Sequence, residues 1–144
     1  MLRSDVVRKR LLGLDPEVRL PADAYSADVT ERVYGALCTQ AATALRAGYC
    51  AIIDAVALRP EERQAFAGIA REAGVPFAGL WLEAPTAAMT TRVTERRHDA
   101  SDATREVVER QLQADPGSLD WLRIDAGGTQ AAVLAAARST LGLI

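Results

Sequence analysis

The sequence predicts a three-layer α/β/α sandwich built on a parallel sheet, and three observations lead there. Short apolar runs at residues 50–54, 77–83 and 121–125 alternate with helical patterns. Runs of four to six consecutive apolar residues fit strands buried on both faces, which occur in parallel sheets covered by helices. Each run closes on a carboxylate, at Asp54, Glu83 and Asp125, and the connections are short, as βαβ units require.

The elements follow in order. Leu2 and Arg3 are too few to specify a strand by themselves. Ser4-Asp5 reads as a cap for a short helix through Leu11 that stops near Gly13. Residues 15–21 read as a loop. Ser26, whose hydroxyl can take an orphan N–H, starts a helix with Val29, Val33, Leu37, Ala41, Ala44 and Leu45 on one face, and Gly48 ends it. The strand reaching Asp54 comes next. Pro60 opens the following helix at its first turn, Phe66, Ile69, Ala70 and Ala73 form its buried stripe, and Gly74 stops it. After the strand ending at Glu83, Pro85 starts a helix that turns Met89 and Val93 inward and carries Arg92, Arg96 and Arg97 toward its end. His98-Asp99-Ala100 is a polar break, with His98 read as a solvated loop residue, and Ser101-Asp102 reads as the cap of a helix with Val107, Val108 and Leu112 inside. Trp81 and Trp121 are expected in the core. Gly127-Gly128 turns the last strand into a final helix.

Composition narrows the functional classes. The 144 residues make one domain, 49% hydrophobic and 25% charged, which suits a soluble globular protein. Seventeen basic and nineteen acidic side chains are interleaved for a net charge of −2. There is no basic stripe, so nucleic acid is disfavoured as a partner. No stretch reaches 18 apolar residues, so no membrane span is expected. Cys38 and Cys50, without a C-x-x-C or Cys/His cluster, read as buried thiols in a reducing, cytoplasmic setting.

A parallel sheet brings its strand ends to one edge, so these acids and the arginine-rich helix end are expected to share a cleft. Carboxylates facing guanidinium groups suit phosphoryl transfer, where positioning and charge neutralisation supply most of the catalysis. The alternative for the arginines is a solvated helix end complementing the dipole. Asp54 could also simply start a turn.

Arg3-Ser4-Asp5-Val6-Val7-Arg8, then Ile52-Ile53-Asp54-Ala55 with Arg59-Pro60-Glu61-Glu62-Arg63, then Arg92-Val93-Thr94-Glu95-Arg96, resemble P-loop kinases of the polynucleotide kinase, gluconate kinase and zeta-toxin type. With Ala24-Tyr25-Ser26 and Asp99-Ala100-Ser101-Asp102-Ala103, the chain looks most like the AAA-type ATP-binding half of bacterial aminoglycoside phosphotransferase fusion proteins. This resemblance implies an ATP-dependent phosphotransferase that uses Mg²⁺ and passes the γ-phosphoryl group to a small-molecule hydroxyl acceptor. It implies Asp5 as general base and Arg8, three residues on, as the group holding acceptor or phosphate. Asp54 would hold Mg²⁺. Arg92 and Arg96 would close over the phosphates from a lid at about residues 92–105, and Arg97 and Asp125 would lie along the nucleotide. Asp125 could equally cap the Gly127-Gly128 turn.

The chain departs from that family at one point. It contains no G-x-x-x-x-G-K-[ST] segment, and its one lysine, Lys9, has no glycine at the spacing a phosphate loop needs. The expectation is therefore a P-loop NTPase-like domain lacking the first strand and phosphate loop through a start-site or cloning choice, and inactive without them. The strands ending at Asp54 and Glu83 would then pair directly or leave a gap through which two copies could dimerise. A non-catalytic binding or assembly module that kept the sheet is the competing reading.

Overall fold

The structure is a computed structural model, and its described residues are 1–95 and 99–143. The chain is mixed α/β, with parallel strand pairs and six α-helices among the described residues. It divides into two compact units, whose described residues are 1–76 with 99–102, and 77–95 with 103–143.

In the first unit β1 (Leu2–Arg3) runs directly into α1 (Ser4–Leu11). Short as it is, β1 forms because it pairs in parallel with β2 (Ile53–Asp54), with Leu2 opposite Ile53 and Arg3 opposite Asp54. The N-cap of α1 is Arg3 in extended conformation, so Ser4 lies inside the helix rather than capping it. Asp5 stands in the first turn and Arg8, Lys9 and Arg10 in the last, the arrangement the helix dipole favours. A 3-10 turn at Ala22–Tyr25 leads to α2 (Ala27–Arg46). Ser26 is its N-cap, but the hydroxyl makes no cap bond; the backbone carbonyl of Ser26 instead accepts from Thr30 N at 2.9 Å.

The predicted stripe of α2 is where the core lies. Val33, Leu37 and Ala41 are buried, with Val7 of α1 and with Phe66 and Ala70 of α3 (Pro60–Glu72). Fully burying a side chain such as Leu37 contributes about 1.5–3 kcal/mol, so this stripe anchors the unit. Tyr34 stacks on Phe66 at 5.8 Å between ring centroids. Gly48, at φ +81°, ends α2 in the left-handed conformation that lets Tyr49 N return to Ala44 O at 3.0 Å.

The second unit contains β3 (Leu80–Glu83), α4 (Thr86–Glu95), α5 (Arg105–Gln113), β4 (Leu122–Asp125) and α6 (Gln130–Thr140). β3 and β4 are parallel, pairing Leu80 with Leu122 and Glu83 with Asp125. Ile124, Ala126 and Val108 are buried. Helix α5 begins at Arg105 because Thr104, not Ser101-Asp102, is its cap, accepting Val107 N through its hydroxyl.

The expected burial of the strands is corrected, and one of the two alternatives for their pairing is decided. β2 is two residues long, and Ile52 and Cys50 before it are exposed; Leu82 and Leu122 are exposed as well. A run of apolar residues is buried on both faces only inside a wide covered sheet, and here the described strands form two separate pairs. The strand ending at Asp54 does not pair with the strand ending at Glu83; each takes its partner from its own unit. Trp81 and Trp121 are half-buried rather than core residues, Trp121 meeting Phe77 edge-on at 6.0 Å.

Candidate functional site

The densest polar cluster of the first unit is built where β1 becomes α1. Because Arg3 sits opposite Asp54 in the parallel register, its Nε lies 3.3 Å from Asp54 Oδ2. Its Nη2 donates to Asp99 Oδ1 at 2.7 Å, so one guanidinium bridges carboxylates from two different segments. Asp5, two residues on, is half-buried, and burial raises its carboxyl above the usual aspartate range, while the Ser101 hydroxyl, Arg3 and Arg8 pull it back down. A carboxyl raised in this way holds a proton more readily than a solvated one, which is what a general base requires.

Arg8 lies on the same side of α1. It is buried, with Nη1 donating to Ala24 O at 2.8 Å and to Thr30 Oγ1 at 3.3 Å, and its guanidinium covers the Tyr25 ring at 4.7 Å. Its Nε has no hydrogen-bond partner among the described residues. Cation–π contact with Tyr25 offsets part of the charge burial.

Lys9 is fully buried at 0% exposure. Its Nζ donates to Pro16 O at 2.9 Å and forms an ion pair with Asp102 Oδ1 at 3.1 Å. Asp102 Oδ2 also accepts from Tyr25 OH at 2.7 Å and Leu20 N at 3.1 Å. Burial alone would raise the Asp102 carboxyl, but the Tyr25, Lys9 and Leu20 donors outweigh it and hold it below the ordinary value, while burial and the Asp102 contact push the Tyr25 phenol up. Asp102 therefore joins α1, the following loop and the 3-10 turn, which is why it is not a helix cap.

The turn after Asp54 is shaped by a second set of contacts. Ala57 is buried at φ +46°, a conformation costly for a residue with a Cβ. It is held there by Arg63 Nη1, donating to Ala57 O at 2.8 Å and Leu58 O at 2.7 Å, and by its own N–H to Tyr34 Oη at 3.0 Å. Burial, with help from Glu62, pushes the Tyr34 phenol up to about 12.

In the second unit, Arg92 donates Nη1 to Ala126 O at 2.6 Å and Nη2 to Gly128 O at 2.7 Å. Its guanidinium thus clamps the turn after β4. Asp125 Oδ1 accepts Gly127 N at 2.7 Å, so its side chain caps the turn after β4. Arg123 pairs with Glu83 across the strands. The expected roles of Arg96, Arg97 and His98 fall outside the described residues.

These residues fit the cofactors unevenly. Mg²⁺ is commonly held by one or two carboxylates together with phosphates and water, and Asp54, 60% exposed at its side chain, suits that single-carboxylate role. Among the described residues no group of three His, Cys, Asp or Glu is placed to hold a metal ion. Lys9 is not offered to the phosphates of ATP, because it is buried on Pro16 and Asp102.

Sequence reasoning placed Asp5 and Arg8 together but missed Arg3, Tyr25 and Asp102 as members of the cluster. The alternation of Leu2 with Arg3 opposite Ile53 with Asp54 was the available signal for Arg3. No local pattern marks Asp102, whose partners stand 77 to 93 residues away.

No helix among the described residues is long and apolar enough to cross a membrane. No curated protein matches the chain. A family model described as AAA domain matches residues 1–115, a span containing Asp5, Asp54 and the whole of the Arg3–Asp99 cluster. With 115 of 144 residues matched, the chain belongs to this AAA-domain family of P-loop NTPase-like, nucleotide-binding proteins.

Proposed function

We propose that this chain is the acceptor-handling part of an ATP-dependent phosphotransferase that transfers the γ-phosphoryl group to a hydroxyl of a small molecule. The observation that carries the reading is Asp5: a half-buried carboxyl on the first turn of α1, raised by burial and flanked by Arg3 and Arg8. In that position it accepts the proton leaving an acceptor hydroxyl as the oxygen becomes nucleophilic. Arg8, one turn on and stacked over Tyr25, is the group this reading assigns to the acceptor or phosphate, and Asp54, paired with Arg3, is the carboxylate it assigns to the metal that accompanies a nucleotide. The donor is held only when a glycine-lysine phosphate loop is supplied, because Lys9 and the backbone of this chain do not offer one.

The alternative, a non-catalytic module, is favoured by cations tied to carbonyl oxygens: Arg8, Lys9, Arg63 and Arg92. Calorimetry separates the two. The 144-residue chain should give no heat with magnesium-ATP. The same chain joined at its N-terminus to a strand–loop–helix segment carrying G-x-x-x-x-G-K-[ST] should bind it and phosphorylate an alcohol acceptor. Asp5→Asn in the extended protein should keep nucleotide binding and lose at least 100-fold in transfer, within the range removal of a general base gives. Retained transfer in Asp5→Asn, or no nucleotide binding by the extended chain, refutes the kinase reading.

A further inference from the structure

In the first unit one guanidinium serves two carboxylates from distant parts of the chain. Arg3 and Asp54 face each other across the β1–β2 ladder. Residues paired in this way project from the same face of a sheet, so the register itself brings the two side chains together. The two contacts are unequal. Arg3 Nη2 holds Asp99 Oδ1 at 2.7 Å, and Asp99 is fixed in turn by accepting Ser101 N at 2.8 Å. Arg3 Nε lies 3.3 Å from Asp54 Oδ2, a looser contact with a side chain that is 60% exposed, against 31% for Asp99. The guanidinium is therefore anchored on Asp99 and rests on Asp54.

We propose that Arg3 is a positioning residue for Asp54, a built-in counter-cation that covers the strand-end carboxylate and gives it up to a divalent cation by staying on Asp99. The inference rests on Asp54 as the carboxylate assigned to the metal, and it adds what competes for that carboxylate. Arg3 opposes a bare divalent cation at Asp54, because like charges at this range repel. Its bond to Asp99 keeps the guanidinium paired when Asp54 changes partner, so no charge is stranded. Phosphates arriving with the metal offer Arg3 a second anion, which a guanidinium fork binds well. Arg3 thus favours a metal that comes with phosphates over a free one.

Manganese, which broadens the resonances of nearby amides, tests this on the 144-residue chain without nucleotide or phosphotransfer. In a titration at neutral pH, Mn²⁺ should broaden amides 53–55, and Arg3→Gln should reach the same broadening at about threefold to fivefold lower Mn²⁺, the factor an ion pair with an exposed partner gives. Arg3→Lys, which keeps the charge, should match the parent. Arg10→Gln, which removes an exposed charge from the last turn of α1, should match it too. Arg3→Gln/Asp54→Asn should lose the gain. An Arg3→Gln titration no tighter than the parent's, an equal gain in Arg10→Gln, or a gain that survives Asp54→Asn would each overturn the counter-cation role. Broadening at 53–55 that Asp54→Asn alone does not reduce removes Asp54 from the metal's ligands and takes this inference with it. If Asp54→Asn weakens the titration and Arg3→Gln does not tighten it, Asp54 stands and only the role of Arg3 falls.

Discussion

Replacing Lys9 by Met should be among the most damaging single changes in the first unit. Lys9 is 0% exposed, and methionine fills a similar volume, so the loss is chiefly that of the charge. Removing one partner of a buried ion pair costs about 3–5 kcal/mol, because the other charge is stranded. Asp102 would keep Tyr25 OH and Leu20 N, and its side chain is 10% exposed, which places the loss near the lower end, about 3 kcal/mol. With a urea m-value of about 2 kcal/mol/M, the midpoint followed by far-ultraviolet circular dichroism should fall by about 1.5 M. The pH dependence has a definite sign. The Asp102 carboxyl is lowered in the folded chain, so its stabilisation is present above its ordinary value of 3.8 and lost as pH falls through the lower folded value. The difference between Lys9→Met and the parent should therefore be full at neutral pH and shrink in acid. Lys9→Met/Asp102→Asn should recover about 1–2 kcal/mol, since no charge is left unpaired. A Lys9→Met loss under about 1 kcal/mol, or a double variant worse than Lys9→Met alone, would refute the assignment of Lys9 as the structural partner of Asp102.

Three further outcomes follow from the same geometry. Asp5 has a carboxyl raised by burial, so its contribution to stability is present below the unfolded value and lost as pH rises through the folded one; Asp5→Asn should be more stable than the parent at pH 7 and equal to it below about pH 4, by urea midpoints at both. Cys50 is exposed and Cys38 half-buried with its thiol raised by burial, so a disulfide reagent such as DTNB should titrate one thiol quickly in the native chain and the second only on unfolding; two equally slow thiols would contradict the exposed Cys50. A Cβ at Gly79 would clash with the Trp121 ring, so Gly79→Ala should displace that ring and cost about 1–3 kcal/mol, visible as a shift in tryptophan emission that Gly35→Ala, in open space, does not produce.

Much of the fold was legible in local pattern. The α2 stripe Val33, Leu37 and Ala41 is the buried face, the strands ending at Asp54 and Asp125 are parallel to their partners, and Asp5 and Arg8 share a side of α1. These follow from periodicity and from the i, i+3 geometry of a helix, which need only a few neighbouring residues. Strand lengths and burial were read less well: apolar runs at 50–54 and 77–83 yielded a two-residue and a four-residue strand, because pairing partners rather than hydrophobicity decide how far a ladder extends.

Local sequence encodes the alternation of helices and parallel strands, the helix faces that pack, and the carboxylates that close β2, β3 and β4, since each is set within one or two turns of chain. What the charged side chains do was settled by packing. Arg3 faces Asp54 and Asp99, Lys9 is sealed onto Asp102, and Arg92 grips the carbonyls after β4, through partners 34 to 96 residues apart. A charge in the sequence is as ready to be solvated as buried. Whether it becomes a peg or a catalytic group depends on the desolvation and partners that packing imposes on it.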